Sequence, residues 1–198
     1  PHDRTIYELK KLGAKVFHFK WINDFAAARN ESIKHATGDW ILWLDADEFM
    51  KPQDLVVLKE ALAALDVDLA YMPIAECLYG TTEEKSRYYR DKLFRNHRGI
   101  HFDRPINEQV TFPADAKPKT TRLANLPIYH WGRNLSDEKM AEKNKERARM
   151  FENILHEKGD DPHYHFLLAS RYLDLGNKEG ALKELAAVID CANDTSDR

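Results

Sequence analysis

Three carboxylates, Asp45, Asp47 and Glu48, follow directly on the unbroken apolar run Trp40 to Leu44 in the stretch GDWILWLDADEF. In an extended chain, residues two apart point the same way, so Asp45 and Asp47 converge on one spot. Two close carboxylates repel, and one tends to hold a proton unless a cation is present. A hard divalent cation, Mg2+ or Mn2+, meets that need. Such ions take oxygen ligands, often keep only one or two protein carboxylates, and let substrate phosphates complete the shell. A bare Asp-x-Asp is short and common, and acids also sit in solvated turns or favour the start of a helix such as the one expected after Pro52. Position separates the two readings: a buried strand carries these acids to the carboxyl end of a sheet, where open α/β folds bind ligands.

The elements that must position the cluster are legible from capping and periodicity. Asp3 can cap a short helix to about Leu12, with Gly13 at its end. AKVFHF, Ala14 to Phe19, reads as a strand. Asp24 can cap a helix through FAAARNESIKHAT that stops before Gly38. WILWL is apolar on both faces, as a central parallel strand covered by helices should be. After Pro52 a helix follows, with Leu55, Leu58, Leu62 and Leu65 at helical spacing. DLAYMPIA is a further strand, and the alternation predicts a layered α/β domain. From Glu76 to about Asn125, pieces such as RYYRDKLFR and the prolines Pro105, Pro113 and Pro118 predict antiparallel ribbons and loops. LPIYHW reads as a last strand. From Ser136 the chain becomes one long charged helix, with Ser136 at its cap, followed by two amphipathic helices broken at LGN.

The totals narrow the classes. The chain has 198 residues, 43% hydrophobic and 32% charged, enough for one good core or a domain with a small appendage. The formal net charge of −3 gives no basic surplus for nucleic acid or an anionic membrane. Two cysteines, Cys77 and Cys191, imply neither a disulfide framework nor a cysteine zinc site, which suits a reducing compartment such as the cytoplasm. No apolar run approaches the ~20 residues of a membrane-spanning helix.

FKWINDFAAARNESIKHATGDWILWLDADEF resembles the family 2 glycosyltransferases, in the bacterial branch that carries helical repeats. The resembling features are Asp24-Phe25, Ala28-Arg29-Asn30, Gly38-Asp39-Trp40 and the Asp45-Ala46-Asp47-Glu48 box. The resemblance implies a GT-A fold, a nucleotide-binding α/β sandwich in which the Asp-x-Asp motif binds a metal and the diphosphate of a sugar nucleotide. It places Asp45 toward the ribose or the metal, makes Asp47 the metal ligand, and sets Arg29 and Asn30 on a helix beside the nucleotide. Standing alone, that Arg-Asn pair would read as a solvated helix face. KLFRNHRGIHFDRPINEQV resembles the family's stretch leading to its catalytic base, often His-Glu; here the pair is Asn107-Glu108. Glu108 is therefore the candidate base for an acceptor hydroxyl, against the alternative of a surface-loop acid. In IYHWG, His130 ends the last core strand. Its counterpart in the family can complete the metal site, and a neutral imidazole can ligate Mn2+ beside oxygen donors. A lone strand-end histidine is more often structural. Trp131 could stack on a sugar ring or equally fill the core edge.

HFLLASRYLDLGNKEGALKELAAVI is similar to one tetratricopeptide repeat, with Ala169, Tyr172, Gly176 and Ala181 where the hairpin helices must approach. The alternative is a plain hairpin that buttresses the preceding domain. The expected division is a partial GT-A domain over residues 1–135 and a helical extension over 136–198. The family opens with a strand, a helix and a second strand that are not in this chain, so the resemblance implies an N-terminally truncated copy. The expected activity is sugar transfer from a nucleotide-diphosphate sugar to a saccharide or protein acceptor, inverting and dependent on Mg2+ or Mn2+. The competing expectation is a non-catalytic interaction module acting through the helical repeat on a protein partner. A nucleotidyltransferase ranks lower, because no Gly-rich phosphate loop with a following basic residue is present.

Overall fold

Local signals set most element ends. A computed structural model describes residues 4–132 and 136–194, for residue 194 the backbone alone. Asp3, expected as the first cap, lies outside them. Helix α1 (Thr5–Lys11) ends with Gly13 at φ +78°, where Gly13 N–H reaches Lys10 O and Ala14 N–H reaches Leu9 O. That pair of bonds closes the helix because glycine adopts the left-handed region without a Cβ penalty. Helix α2 (Phe25–Lys34) starts at Asp24, whose side chain accepts the Ala27 N–H at 2.8 Å. Helix α3 (Pro52–Leu62) carries its proline in the first turn, where no intrahelical donor is lost.

The chain divides into two units, Pro1–Cys77 with Glu84–His130, and Leu78–Glu83 with Trp131–Arg198. The first is built on a mixed sheet. Its strands are β1 (Trp40–Leu42), β2 (Glu48–Phe49), β3 (Leu69–Cys77), β4 (Glu84–Arg95), β7 (Thr120–Arg122) and β8 (Ile128–His130). The order is β1-β4-β3-β8-β2, with β7 also pairing β3. A separate ribbon joins β5 (His101–Asp103) to β6 (Gln109–Thr111). Alternation along β3 and β4 divides the core between the sheet's two faces. Ala70, Met72, Ile74 and Leu93 pack with Leu58 of α3, whereas Leu69 and Phe94 pack with Ala26 of α2 and with Trp43 and Phe102.

Three expectations change. Ala14–Phe19 forms no strand: among the described residues none offers it a ladder, Phe17 is 51% exposed, and its ring stacks on His35. WILWL is not a central parallel strand. Only Trp40–Leu42 is in the sheet, at its edge and antiparallel to β4, with Trp40 opposite Arg95 and Leu42 opposite Leu93. Trp40, Ile41 and Leu42 are half-buried and Leu44 is exposed, so the apolar run states neither how fully the segment is covered nor by which strand. The leucine stripe of α3 is also narrower than its spacing suggests, since Leu58 is buried while Leu55 is exposed.

The second unit is helical: α4 (Asp137–Lys158), α5 (Pro162–Asp174) and α6 (Lys178–Asp194). Ser136 Oγ accepts the Lys139 N–H, and Asn144, Ala148, Phe151 and Ile154 form the buried stripe of α4. Ala169 of α5 and Ala181 of α6 are both buried, as a close hairpin requires. Gly180 was not singled out by pattern, yet an added Cβ there would lie 2.5 Å from Asn177 Nδ2 and 2.9 Å from Tyr172 Cδ2. Asn177 Oδ1 also accepts the Gly180 N–H, so a methyl group would disturb that cap. Gly180→Ala is expected to destabilise the hairpin despite a helix-propensity gain of about 1 kcal/mol. The overpacking cost is of order 1–3 kcal/mol. A urea midpoint at or above that of the wild type would contradict this. No helix among the described residues is long and apolar enough to cross a membrane.

Candidate functional site

After Leu42 the chain leaves the sheet, but Trp43 N–H still reaches Lys92 O at 3.1 Å, and Trp43 Nε1 donates to Asp91 O at 2.7 Å. The indole is thereby fixed inside the core. Beyond it the acid box turns sharply. Glu48 N–H donates to Asp45 O at 3.0 Å, and Asp45 N–H donates back to Glu48 Oε2 at 2.8 Å. Glu48 is therefore turned inward. Its Oε2 also accepts from Lys92 Nζ at 2.6 Å, with side-chain exposures of 5% and 2%. Lys92 Nζ lies 3.4 Å from the centroid of the Trp43 ring and 4.0 Å from Asp45 Oδ2. Burial pushes the Lys92 ammonium below its usual range, and Glu48 and then Asp45 oppose that push.

Arg29, on α2, joins two sequence-predicted residues. Its Nη2 donates to Asp45 Oδ1 at 2.7 Å and its Nε to Glu108 Oε1 at 2.6 Å. Its guanidinium carbon lies 4.2 Å from the Trp43 ring centroid, so one indole supports both cations of the site. Burial disfavours the Arg29 charge, but Asp45 and Glu108 outweigh it and the guanidinium is held above its ordinary range. For Asp45, burial works upward and is outweighed by Arg29, Lys92 and His130, so its carboxyl is held below the ordinary range. Asn30 has a different task. Its amide donates to Phe102 O and accepts from Phe102 N–H, both at 2.8 Å, which clamps α2 to β5 and so aims Arg29. Glu108 follows Asn107, whose φ of +57° lies in the left-handed region that asparagine enters more readily than most residues. Phe25 N–H donates to Pro105 O at 2.7 Å, tying that loop to the start of α2.

Asp47 meets His130. The register sets Glu48 opposite His130 across β2 and β8, and Glu76 beside His130 across β3 and β8. His130 Nε2 lies 3.3 Å from Asp47 Oδ2, and Nδ1 lies 3.0 Å from Glu76 Oε1. Tyr88 Oη donates to the same Glu76 oxygen at 3.0 Å. Burial and then Glu76 push the Tyr88 phenol up to about 12. A carboxylate oxygen lies beside each ring nitrogen and can only accept, so the proton of a neutral imidazole sits either on Nδ1, toward Glu76, or on Nε2, toward Asp47. With the proton on Nδ1, the Nε2 lone pair faces an Asp47 oxygen, and a cation between the two would satisfy both. One carboxylate oxygen and one imidazole nitrogen suit Mn2+ or Mg2+. No group of three or more His, Cys, Asp or Glu side chains among the described residues could hold a metal ion by itself. The remaining ligands would have to come from substrate and water.

Arg29, Asp45 and Glu108 thus lie together, as do Asp47 and His130. Trp131 belongs to the second unit, where its indole N–H donates to Thr81 O at 2.8 Å and its ring lies beside Tyr79. Lys92, Glu76 and Tyr88 were missed by sequence reasoning. For Lys92 a signal exists: if Phe94 faces inward in RDKLFR, strand alternation turns Lys92 inward with it.

A model of the family described as Glycosyl transferase family 2 matches residues 2–116, a span that includes Arg29, Asp45, Asp47 and Glu108. The chain is 42% identical over 108 residues to a TPR repeat-containing protein of Synechococcus elongatus, covering 54% of this chain and 26% of that protein. It is 25% identical over 173 residues to the SPbeta prophage-derived glycosyltransferase SunS of Bacillus subtilis, covering 86% of this chain and 40% of SunS. The chain therefore spans well under half the length of either relative. Among solved structures, S. aureus TarS 1–349 in complex with UDP-GlcNAc matches with a TM-score of 0.52 at 15% identity. That match covers 95% of this chain and 69% of TarS 1–349, and at such identity it speaks for the fold alone: a GT-A-like α/β architecture.

Proposed function

Because this chain belongs to the family 2 glycosyltransferases, we propose that its acid cluster and Glu108 transfer a sugar from a nucleotide-diphosphate sugar to an acceptor hydroxyl, with inversion. The observation that carries this reading is the Arg29 guanidinium, which ties Asp45 of the Asp-x-Asp box to Glu108 in one array. On this reading the site that takes the donor and the group that takes the proton are adjacent. Glu108 accepts the proton of the acceptor hydroxyl as its oxygen attacks the anomeric carbon. The bond from that carbon to the diphosphate oxygen breaks, and the nucleoside diphosphate leaves with the electron pair. Arg29 and Asp45 orient the donor beside Trp43.

Asp47 and His130 would hold a divalent cation, Mg2+ or Mn2+. When bound, that ion would stabilise the negative charge that develops on the leaving diphosphate. The acceptor is a saccharide or protein hydroxyl. The exposed apolar residues of α5 and α6, Phe166 and Leu182 among them, suit a protein partner.

UDP-GlcNAc is the first donor to test. Calorimetry on this chain is expected to show binding that needs Mn2+, and Asp47→Ala should abolish it. Equal binding by the variant, or binding indifferent to Mn2+, would sink the metal-dependent reading.

A further inference from the structure

We propose that Glu76 is a positioning residue that sets the tautomer of His130, so that Nε2 presents a lone pair to Asp47; this rests on the metal-binding reading of the Asp47–His130 pair. The neutral histidine side chain in water favours the proton on Nε2. In a protein, the choice is set by the hydrogen bond that the other nitrogen makes. Here that partner is fixed before any ligand arrives. Glu76 is buried near the end of β3, a strand with neighbours on both sides, and the parallel register with β8 puts it beside His130. Its Oε1 lies 3.0 Å from His130 Nδ1. Tyr88 donates to the same oxygen from β4, so the carboxylate is held from the opposite neighbouring strand.

Three adjacent strands thus hold one line of groups, Tyr88, Glu76 and His130, that ends at Asp47 in the turn before β2. Rotation of the Glu76 carboxylate would break either the Tyr88 or the His130 contact. Asp47 is a competing acceptor at Nε2, but its side chain is 48% exposed against 5% for Glu76, so the buried Glu76 contact decides the tautomer. Carboxylate partners of this kind raise the basicity of a ligating histidine, and their loss commonly lowers metal affinity by about 10–100-fold. A purely structural Glu76 would join β3 to its neighbours with no bearing on which imidazole nitrogen carries the proton.

The test is long-range 15N–1H correlation on histidine-labelled, metal-free chain at alkaline pH, where the imidazole is neutral. His130→Gln identifies the signal among the nine histidines. The wild type is expected to show His130 protonated at Nδ1. Glu76→Leu should return the proton to Nε2, and Glu76→Gln should keep it on Nδ1, because the amide oxygen still accepts. In parallel, Mn2+ with UDP present to supply the phosphate ligands, followed by electron paramagnetic resonance, should bind Glu76→Leu about 10–100-fold more weakly than the wild type. A wild-type His130 protonated at Nε2 overturns the proposal without recourse to any variant, as does a Glu76→Leu chain that keeps the Nδ1 proton. If the tautomer flips as expected but Mn2+ affinity is the same in wild type, Glu76→Leu and Asp47→Ala, the tautomer assignment stands and the metal reading falls.

Discussion

Glu108→Gln is expected to lower the turnover of sugar transfer by about 10²–10⁴-fold, the usual contribution of a positioned base, while donor binding is retained. The substitution keeps the shape and leaves an amide oxygen to meet Arg29 Nε, which now sits 2.6 Å from Glu108 Oε1. It removes the capacity to take a proton and one of the two negative charges that meet Arg29. Arg29 stays tied to Asp45 at 2.7 Å, so the donor-facing part of the array is preserved. The signature is therefore a loss in kcat with little change in the donor KM. Steady-state release of nucleoside diphosphate, with donor and Mn2+ saturating, reads it directly. Turnover within a few-fold of the wild type would remove Glu108 from the chemistry and leave it a partner of Arg29.

Lys92→Met is expected to cost the first unit about 3–5 kcal/mol of stability, the typical penalty for breaking a buried ion pair by removing one partner. Lys92 and Glu48 are nearly inaccessible and 2.6 Å apart. Methionine fills much of the stem's volume beside Trp43 but leaves the Glu48 carboxylate buried without its cation. Glu48 also accepts the Asp45 N–H, so the turn that carries Asp45 and Asp47 should loosen with it. Such a loss is a large share of the 5–15 kcal/mol that a domain ordinarily has. The double variant Lys92→Met with Glu48→Gln should recover most of it, since the stranded charge is gone. A urea unfolding midpoint for Lys92→Met equal to that of the wild type would refute the argument. A double variant no better than the single one would show that packing, rather than charge, carries the effect.

The third carboxylate of the acid box shows how far sequence reading reaches. Asp45, Asp47 and Glu48 read as one cluster of like charge from spacing alone. In the fold they part company. Asp45 is neutralised by Arg29, Asp47 faces His130, and Glu48 turns inward to Lys92. Spacing determines which side chains are neighbours along the backbone. It does not state which cation arrives from elsewhere. Asn30 makes the same point in reverse: its place beside Arg29 suggested a direct ligand, whereas its amide binds the backbone of Phe102 and aims the arginine.

What the sequence determined by itself is local. The Asp24 and Ser136 caps, the Gly13 helix end and the proline-led start of α3 all depend on residues a few positions apart. These preferences act in any context, so they can be read in order along the chain. The tertiary structure decided the pairs that span it: Arg29 with Glu108, Glu48 with Lys92, and Glu76 with His130 are separated by 79, 44 and 54 positions. It also decided that the WILWL run sits at a sheet edge against an antiparallel neighbour. The physical reason is the same in each case. A buried charge or an open strand edge needs a partner, and only the folded chain determines which distant residue supplies it.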